Sequence, residues 1–373
     1  MRHEASINGQ RFGTLRRLFS LTQKGLAEQL GVGQSFLSQI ERGTRPAPAL
    51  LALTAGEQFG LPESFFTVPT SPLETRPATY RKTSRATVKE DDRIGELYNE
   101  ASRLFMELSE RSGYRTGELP DPGDFGDDPE LVAIRLRQAA GLDATEPVLN
   151  VTRSLERLGF GVIDELDEPR HESEHSGITR PAPWMERPLI ALTSPAPGGV
   201  KRFTLAHEAY HHIADRHLPG PITSRRSAEE VRAFRFAGAF LLPAPVVRER
   251  ISEHTPLNGY LAVKADYGIT VSAMIHRAKD LGVISPGRAK SLYIQWSSSG
   301  WRKDEPVDVP DERPMLLAQA AQKVYGRHPV QRAAMDVGTS PAWIQRWCKL
   351  DSNPASEPAT VVDFASERRR RLA

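Results

Sequence analysis

The chain has 373 residues, which is too long for one ordinary domain and typical of two or three domains. Hydrophobic residues make up 39% and charged residues 26%, a globular composition, and no apolar run approaches the length of a membrane span. The single cysteine, Cys348, excludes an internal disulfide and a zinc site built from several cysteines, and a formal net charge of +2 means that any nucleic-acid-binding role must rest on a local patch. Since the N-terminus lacks the apolar segment of a secretory signal, we expect a cytoplasmic protein with no membrane partner.

Short helical patterns separated by tight turns fill residues 9–66. Thr22 is placed to cap a helix over 23–30, and a second helix over 34–42 is expected to end at Gly43. The apolar positions that would fill a small core between these helices are Leu15, Leu26, Ala27, Leu30, Val32, Leu37 and Ile40. The pattern predicts a compact all-α module.

The face of the second helix outside this core is polar. Short amide and hydroxyl side chains at a helix N-terminus recognise base edges in the major groove, and arginines beside them can hold phosphates. The residues predicted to contact DNA are Gln23, Gln34, Ser35, Ser38, Gln39 and Arg42. Further arginines placed to hold phosphates are Arg16, Arg17 and Arg45. We therefore expect a double-stranded DNA operator as partner, with a helical bundle that binds protein as the alternative.

The run LTQKGLAEQLGV, followed by SFLSQIERG, resembles the XRE family of helix-turn-helix domains and is similar to the lambda repressor. The resemblance covers residues 9–66 and implies an all-α, lambda-repressor-like domain that binds DNA. Such modules usually act as dimers, so a homodimer on a palindromic site is expected. Gly25 within the first helix and Gly33 at the start of the second depart from the family pattern without breaking the fold.

A linker and a long helix are predicted next. Residues 67–87 are rich in Pro, Thr, Ser and Arg, a composition typical of a linker. Apolar residues at three- and four-residue spacing over 88–111 predict a helix with one apolar stripe. A turn-rich acidic segment over 117–130 then marks a boundary.

Short strand patterns alternate with helices in the middle of the chain. Residues 160–163, 176–179 and 188–193 are strand candidates. The strand PLIALT, over 188–193, is expected to run along a cleft and to pair with an extended peptide. The remainder to residue 284 is mostly helical, so the predicted fold class is mainly α with a small β-sheet (α+β).

The strongest chemical motif is His207-Glu208-x-x-His211 within a predicted helix. Imidazoles four residues apart lie on one helix face and can reach one Zn²⁺ ion. Glu208 is offset from that face, so its carboxylate can take a proton from water as a general base. The next helix offers a third ligand in Glu230, which shares a stripe with core residues, with Glu229 as the fallback.

The segments RFTLAHEAYHH and AFRFAGAFLLP resemble the ImmA/IrrE family of zinc metallopeptidases over roughly 150–285. The resemblance implies a zincin-like domain in which His207 and His211 bind Zn²⁺, Glu208 is catalytic and an acidic residue of the next helix is the third ligand. Many members of this family cleave a repressor or otherwise release repression. The departures from the family pattern are Tyr210, Arg232 and Phe234.

Two further helix-turn-helix patterns occur near the C-terminus, over 257–284 and 315–348. For the first, plain packing is favoured over DNA contact. Trp343 and Trp347, four residues apart, are expected in a core or an interface rather than in base stacking.

Two functions remain open on these grounds. The first is a DNA-binding transcriptional regulator whose zinc endopeptidase cleaves a repressor, another regulatory partner or its own chain. The second is a transcription factor that uses the zinc domain as a structural or sensing module without turnover. The predicted boundaries are 1–70 for the helix-turn-helix domain, 71–128 for the linker and long helix, 129–284 for the metallopeptidase domain with its helix-turn-helix-like end, 285–350 for the helical C-terminal region and 351–373 for a disordered basic tail.

Overall fold

The computed structural model describes residues 6–69, 79–82, 87–114, 119–121, 126, 128–168, 175–181, 187–218, 222, 224 and 226–350. Within these ranges the chain forms sixteen α-helices and one small sheet of four short strands, so the expected mainly α class is confirmed. The tail predicted to be disordered, 351–373, lies outside the described residues, as does part of the predicted linker.

Four helices and a short 3-10 turn build the N-terminal module. They are α1 (Gln10–Leu18), α2 (Gln23–Gln29), α3 (Gln34–Glu41), α4 (Ala49–Phe59) and the 3-10 segment Glu63–Thr67. Thr22 caps α2 as predicted, because its hydroxyl accepts a hydrogen bond from the Gly25 N–H at 3.0 Å. Gly31, with a φ of 66°, makes the turn toward α3. The predicted core residues are buried, except that Val32 is half-buried.

The long helix α5 (Val88–Ser112) begins with a capping box formed by Thr87 and Glu90. Its predicted apolar stripe is buried from Ile94 to Leu108. One part of that stripe packs against the N-terminal module and another part against the sheet, so α5 joins the two.

The four strands are β1 (Thr79–Lys82), β2 (Gly161–Ile163), β3 (His175–Thr179) and β4 (Leu189–Leu192), in the order β1-β3-β4-β2. β4 runs parallel to its neighbour β2 and antiparallel to its neighbour β3, and β1 runs antiparallel to β3. The prediction that PLIALT pairs with a substrate is wrong, because β4 has a strand on either side and no free edge. A strand also forms within the segment predicted as a linker.

Eight helices form the rest of the described central part of the chain. They are α6 (Pro129–Ala139), α7 (Val151–Arg157), α8 (Gly198–Ala214), α9 (Ala228–Leu241), α10 (Ala244–Arg250), α11 (Tyr260–Tyr267), α12 (Val271–Asp280) and α13 (Pro286–Ser298). α8 packs on β3 and β4 on one side and on α9 on the other. This position buries most of α8 and fixes the two histidines of the motif between the sheet and α9.

Three C-terminal helices, α14 (Leu316–Tyr325), α15 (Pro329–Val337) and α16 (Pro341–Trp347), pack against α5 and the N-terminal module. Trp343 and Trp347 are buried and stacked with ring centroids 6.0 Å apart, which confirms the expected core or interface role. The Trp343 ring lies 6.2 Å from the ring of Phe19, and Trp347 Nε1 donates to the Leu166 carbonyl at 2.9 Å. The C-terminal helices therefore share one core with the N-terminal module and one face of the sheet.

Buried ion pairs reinforce this arrangement. Arg93 of α5 donates to both carboxylate oxygens of Asp167, at 2.6 and 2.7 Å, and also to the Leu18 carbonyl at the end of α1. Arg11 of α1 lies 2.8 Å from the fully buried carboxylate of Glu100. The N-terminal module is thus held on the rest of the chain by charge as well as by apolar packing.

Candidate metal centre and nucleic-acid interface

The two histidines of the motif lie on one stripe of α8. Phe203, His207 and His211 recur every four residues, so their side chains leave the helix on the same face, toward α9. Ala206 and Tyr210 are buried in the neighbouring apolar core and fix the rotation of the helix. The polar stripe is consequently presented inside the protein rather than to bulk solvent.

His207, His211 and Glu230 converge on one point. Nε2 of His207 lies 3.3 Å from Nε2 of His211, and the two carboxylate oxygens of Glu230 lie 3.3 Å from His207 Nε2 and 3.5 Å from His211 Nε2. All three side chains are buried. Their ligand atoms lie within 4.8 Å of one another, so the three residues can hold a metal ion.

The helix start of α9 explains why Glu230 rather than Glu229 faces the histidines. The Ser227 hydroxyl caps α9 by accepting from the Glu230 N–H at 3.3 Å. Successive residues in a helix differ by about 100° in direction, so the neighbouring Glu229 leaves the helix on another side. Its carboxylate lies 3.6 Å from Arg232. Of the two candidates for the third ligand, the structure brings only Glu230 to the histidine pair.

Asp215, at the C-terminal end of α8, orients His211. The Nδ1–H of His211 donates to Asp215 Oδ2 at 2.6 Å, so in the neutral ring Nε2 is the nitrogen with the lone pair. Sequence reasoning did not single out Asp215, although it stands four residues after His211 and therefore on the same stripe. A helix-spacing search beyond the motif would have found it.

The electrostatics of the triad favour a bound cation. Burial alone lowers the pKa of His211, but hydrogen bonds to Asp215 and Glu230 and the charge of Glu208 outweigh burial and raise that pKa to about 10. Burial raises the pKa of Glu230, but hydrogen bonds and charge from His207 and His211 outweigh it, so its net pKa is lowered. Carboxylates therefore surround the imidazoles with negative charge, and this donor set fits a divalent cation in place of the proton.

Glu208 is buried beside this centre, with 1% of its surface exposed. It faces β3, where Gly177 packs so closely that a Cβ atom at that position would lie 2.9 Å from Glu208 Oε1 and 2.9 Å from Thr204 Cγ2. A side chain at Gly177 would therefore displace the carboxylate. The absence of that side chain is a condition for the observed position of Glu208 next to the histidines.

His212 lies in a different environment from that of His211. Its Nε2 lies 3.3 Å from the Leu189 carbonyl and contacts the Thr179 hydroxyl, so the ring joins α8 to β3 and β4. Burial lowers the pKa of His212 to about 3, and the ring is neutral. His212 thus has a packing role and takes no part in the triad.

The polar face of α3 is open to solvent. Gln34, Ser35 and Arg42 are exposed, and Ser38 and Gln39 are half-buried. These five predicted contact residues share one accessible surface with the N-terminal end of α3.

Three other predicted contact residues make internal contacts. The Gln23 amide donates to Glu41 at 3.0 Å, and Arg16 lies 3.2 Å from the same carboxylate. Arg17 lies 2.5 Å from Glu96 of α5. The expectation that Arg17 holds a phosphate is therefore corrected, because its charge is used to attach α1 to α5.

Two family models match the chain. The helix-turn-helix model matches residues 14–55, and the IrrE N-terminal-like domain model matches residues 156–279. The uncharacterized HTH-type transcriptional regulator YazB of Bacillus subtilis (strain 168) is 45% identical over 49 residues, which are 13% of this chain and 71% of that protein. The chain belongs to the XRE-type helix-turn-helix regulators. It is a DNA-binding regulator fused to an IrrE-like domain, and no solved structure matches it.

Both resemblances expected from the sequence are confirmed, and the IrrE-like match includes the whole triad. Within this IrrE-like domain, the departures from the family pattern have defined partners. Phe234 lies with its ring 4.8 Å from the ring of Phe203 and 4.5 Å from the ring of His276, and Tyr210 is buried against Phe236. Among the residues that the structure describes, this XRE-type regulator has no helix long and apolar enough to cross a membrane.

Proposed function

We propose that this chain is a transcriptional regulator whose IrrE-like domain is a zinc-dependent endopeptidase acting on a regulatory protein. The observation that carries the proposal is the convergence of His207, His211 and Glu230, with the buried Glu208 beside them. Two imidazoles and one carboxylate leave a fourth position of a tetrahedral Zn²⁺ site for substrate or water, as in catalytic rather than structural zinc sites.

Bound Zn²⁺ would polarise the scissile carbonyl and lower the pKa of a water molecule at that position. Glu208 has no ligand role in this arrangement, so its carboxylate takes the proton of the attacking water and passes it to the leaving amine. Asp215 holds His211 in the tautomer that offers Nε2 to the ion. A purely structural zinc site would not require a carboxylate at Glu208.

The N-terminal module supplies the second half of the proposed function. Gln34 and Ser35 at the start of α3 are exposed and suited to base edges, and Arg42 to a phosphate. A homodimer on a palindromic double-stranded operator, in the cytoplasm, fits the usual use of such modules. In this scheme the endopeptidase cleaves either the regulator bound at the operator or a repressor that acts with it.

A non-catalytic regulator is the second candidate, and one observation favours it. The ion pairs of Arg93 and Arg11 attach the DNA-binding module to the same body that carries the triad. Zinc occupancy could then be sensed by the DNA-binding module without any turnover. In that case the triad is a structural or sensing site.

Glu208→Gln separates the two candidates. The variant should bind about one equivalent of zinc, as the wild type does, and should lose about 10²–10⁴-fold in cleavage of casein. Glu229→Gln is the matched control, since Glu229 is a half-buried neighbour of the third ligand that pairs with Arg232, and it should cleave as the wild type does. If the wild type leaves casein intact and Glu208→Gln regulates a reporter promoter normally, the endopeptidase proposal fails and the sensing role stands.

A further inference from the structure

The strand β1 covers the outer edge of β3, the strand whose Gly177 packs on Glu208. β1 pairs with β3 in antiparallel, with Tyr80 opposite Ile178 and Arg81 opposite Gly177. The pairing is irregular after Arg81, where β3 contributes one extra residue. Bulges of this kind are frequent beside active sites. Among the described residues, β3 has β4 on one edge and β1 on the other, so the chain itself occupies the edge at which β3 would bind another strand.

This pairing places the backbone of β1 beside the strand that contacts the general base. Gly177 packs directly on Glu208 and Thr204, as the 2.9 Å approach of a Cβ atom at that position indicates. Antiparallel partners have Cα atoms about 4.5–5.5 Å apart. The backbone of Arg81 thus lies one strand spacing from the glycine that contacts Glu208.

We infer that Thr79–Lys82 is a substrate of the chain's own metal centre, bound as an extended peptide on β3. The inference rests on the proposed endopeptidase function. Its substrate class is an extended peptide held by backbone hydrogen bonds, within the segment that joins the DNA-binding module to α5. Backbone hydrogen bonds to a sheet edge select extended peptides with little dependence on side chains. The occupant of the edge is already tethered, which gives it a high effective concentration.

The reaction is hydrolysis of one peptide bond within Thr79–Lys82. Water adds its oxygen to the carbonyl carbon, and the bond between that carbon and the amide nitrogen breaks. Glu208 accepts one proton of the water and delivers it to the nitrogen, which leaves as an amine. The second proton of the water passes from the new carboxyl group to that amine, so the products are a carboxylate and an ammonium group. No oxidant, reductant or other co-reactant is needed.

Cleavage at β1 would remove the covalent connection between the DNA-binding module and the IrrE-like domain. The module would then be retained by packing and by ion pairs such as Arg11–Glu100 and Arg93–Asp167. A contact that was intramolecular becomes dependent on protein concentration once the tether is cut. The cut therefore converts a fixed module into one that can dissociate.

The first experiment follows the intact mass of the purified full chain after zinc is added. The wild type should yield two fragments that meet within residues 79–82, at a rate independent of protein concentration. Glu208→Gln should be at least about 100-fold slower, the scale expected for loss of a general base. Arg81→Pro removes a backbone donor from the paired strand and should abolish the cut, whereas Arg81→Ala, the matched control with an intact backbone donor, should be cut as the wild type is.

A second measurement does not depend on activity. In the metal-free Glu208→Gln background, hydrogen exchange of the β3 amides should be slower with Arg81→Ala than with Arg81→Pro, because β1 protects the edge only in the former. Equal exchange in the two variants overturns the inference. A cut outside 79–82, or equal cutting of added Glu208→Gln chains by the wild type, overturns it as well.

Casein serves as the reference substrate. If zinc-loaded wild type cleaves casein and leaves its own chain intact, β1 is not a substrate and the endopeptidase proposal survives. If neither casein nor the chain is cleaved, both the inference and the endopeptidase proposal fail. The two failures are therefore distinguishable.

Discussion

Asp215 accepts a hydrogen bond of 2.6 Å from Nδ1 of His211, at the last turn of the helix that carries both histidines of the triad. This contact fixes the ring plane of His211 and holds a proton on Nδ1, so Nε2 is directed at Glu230 and is the nitrogen that exchanges its proton for a metal ion. Carboxylates that hold a metal-binding imidazole in this way also increase its basicity. Asp215 is therefore a positioning residue for the metal centre.

Asp215→Ala should lower zinc affinity about 10–100-fold, the usual cost of losing such a partner. Asp215→Asn should recover part of the loss, because its amide oxygen still accepts from the Nδ1–H of His211. Zinc affinity is measured by competition with a chelator, and the fold is checked by the thermal transition of the metal-free protein. Equal affinity in wild type and Asp215→Ala would show that the contact does not position His211.

Glu230 and Glu229 form a matched pair for testing the third ligand. Glu230→Ala removes an oxygen that lies 3.3 Å from His207 Nε2, so zinc binding should weaken strongly. Glu229→Ala removes only an ion pair with Arg232, and zinc binding should stay within twofold of the wild type. Metal content after dialysis gives the ordering. The reverse ordering would transfer the ligand role to Glu229.

Gln34 is expected to contribute to sequence recognition. Gln34→Ala should weaken binding to the specific operator by about 1–3 kcal/mol, because a bidentate contact to adenine is lost. Arg42→Ala should weaken specific and non-specific binding alike and should reduce the salt dependence of binding by about one phosphate contact. Titrations of operator and scrambled DNA at several salt concentrations distinguish the two effects. Equal losses on both DNAs for Gln34→Ala would exclude a base contact.

The local parts of the candidate site could be predicted from the sequence. Four-residue spacing places His207 and His211 on one helix face, and the apolar stripe of α9 favours Glu230 over its neighbour as the inward carboxylate. The outward polar face of α3 follows from the same periodicity. These features follow from the geometry of a single helix and from which side of that helix faces the core.

The non-local parts could not be predicted. The sequence of a single strand does not determine its neighbours in the sheet. PLIALT therefore looked like a strand that could pair with a substrate, whereas it lies inside the sheet. β1 is four residues long, shows no extended alternation, and forms only because β3 offers an edge. The pairing of Arg17 with Glu96 joins two separate segments, and a solvent-exposed phosphate contact was equally consistent with its sequence.

The last prediction concerns the buried carboxylate of Glu100, which joins α5 to the DNA-binding module. Burial raises the pKa of Glu100, but the charges of Arg103 and Arg11 outweigh burial, and the net pKa is lowered below its ordinary value of 4.5. A carboxyl with a lower pKa in the folded state stabilises the fold above the unfolded pKa. That contribution is lost as the pH falls below 4.5 toward the folded pKa.

Glu100→Gln should therefore destabilise the chain at neutral pH, by about 3–5 kcal/mol, because the buried guanidinium of Arg11 and the half-buried guanidinium of Arg103 lose their partner. The free energy of unfolding of this variant should fall less steeply with acid than that of the wild type. Glu107→Gln, on the same helix but exposed beside Arg111, is the control and should cost no more than about 1 kcal/mol. Urea unfolding followed by tryptophan fluorescence, at neutral and acid pH, gives the comparison. An unchanged acid dependence in Glu100→Gln would mean that Glu100 is not ionised in the folded protein.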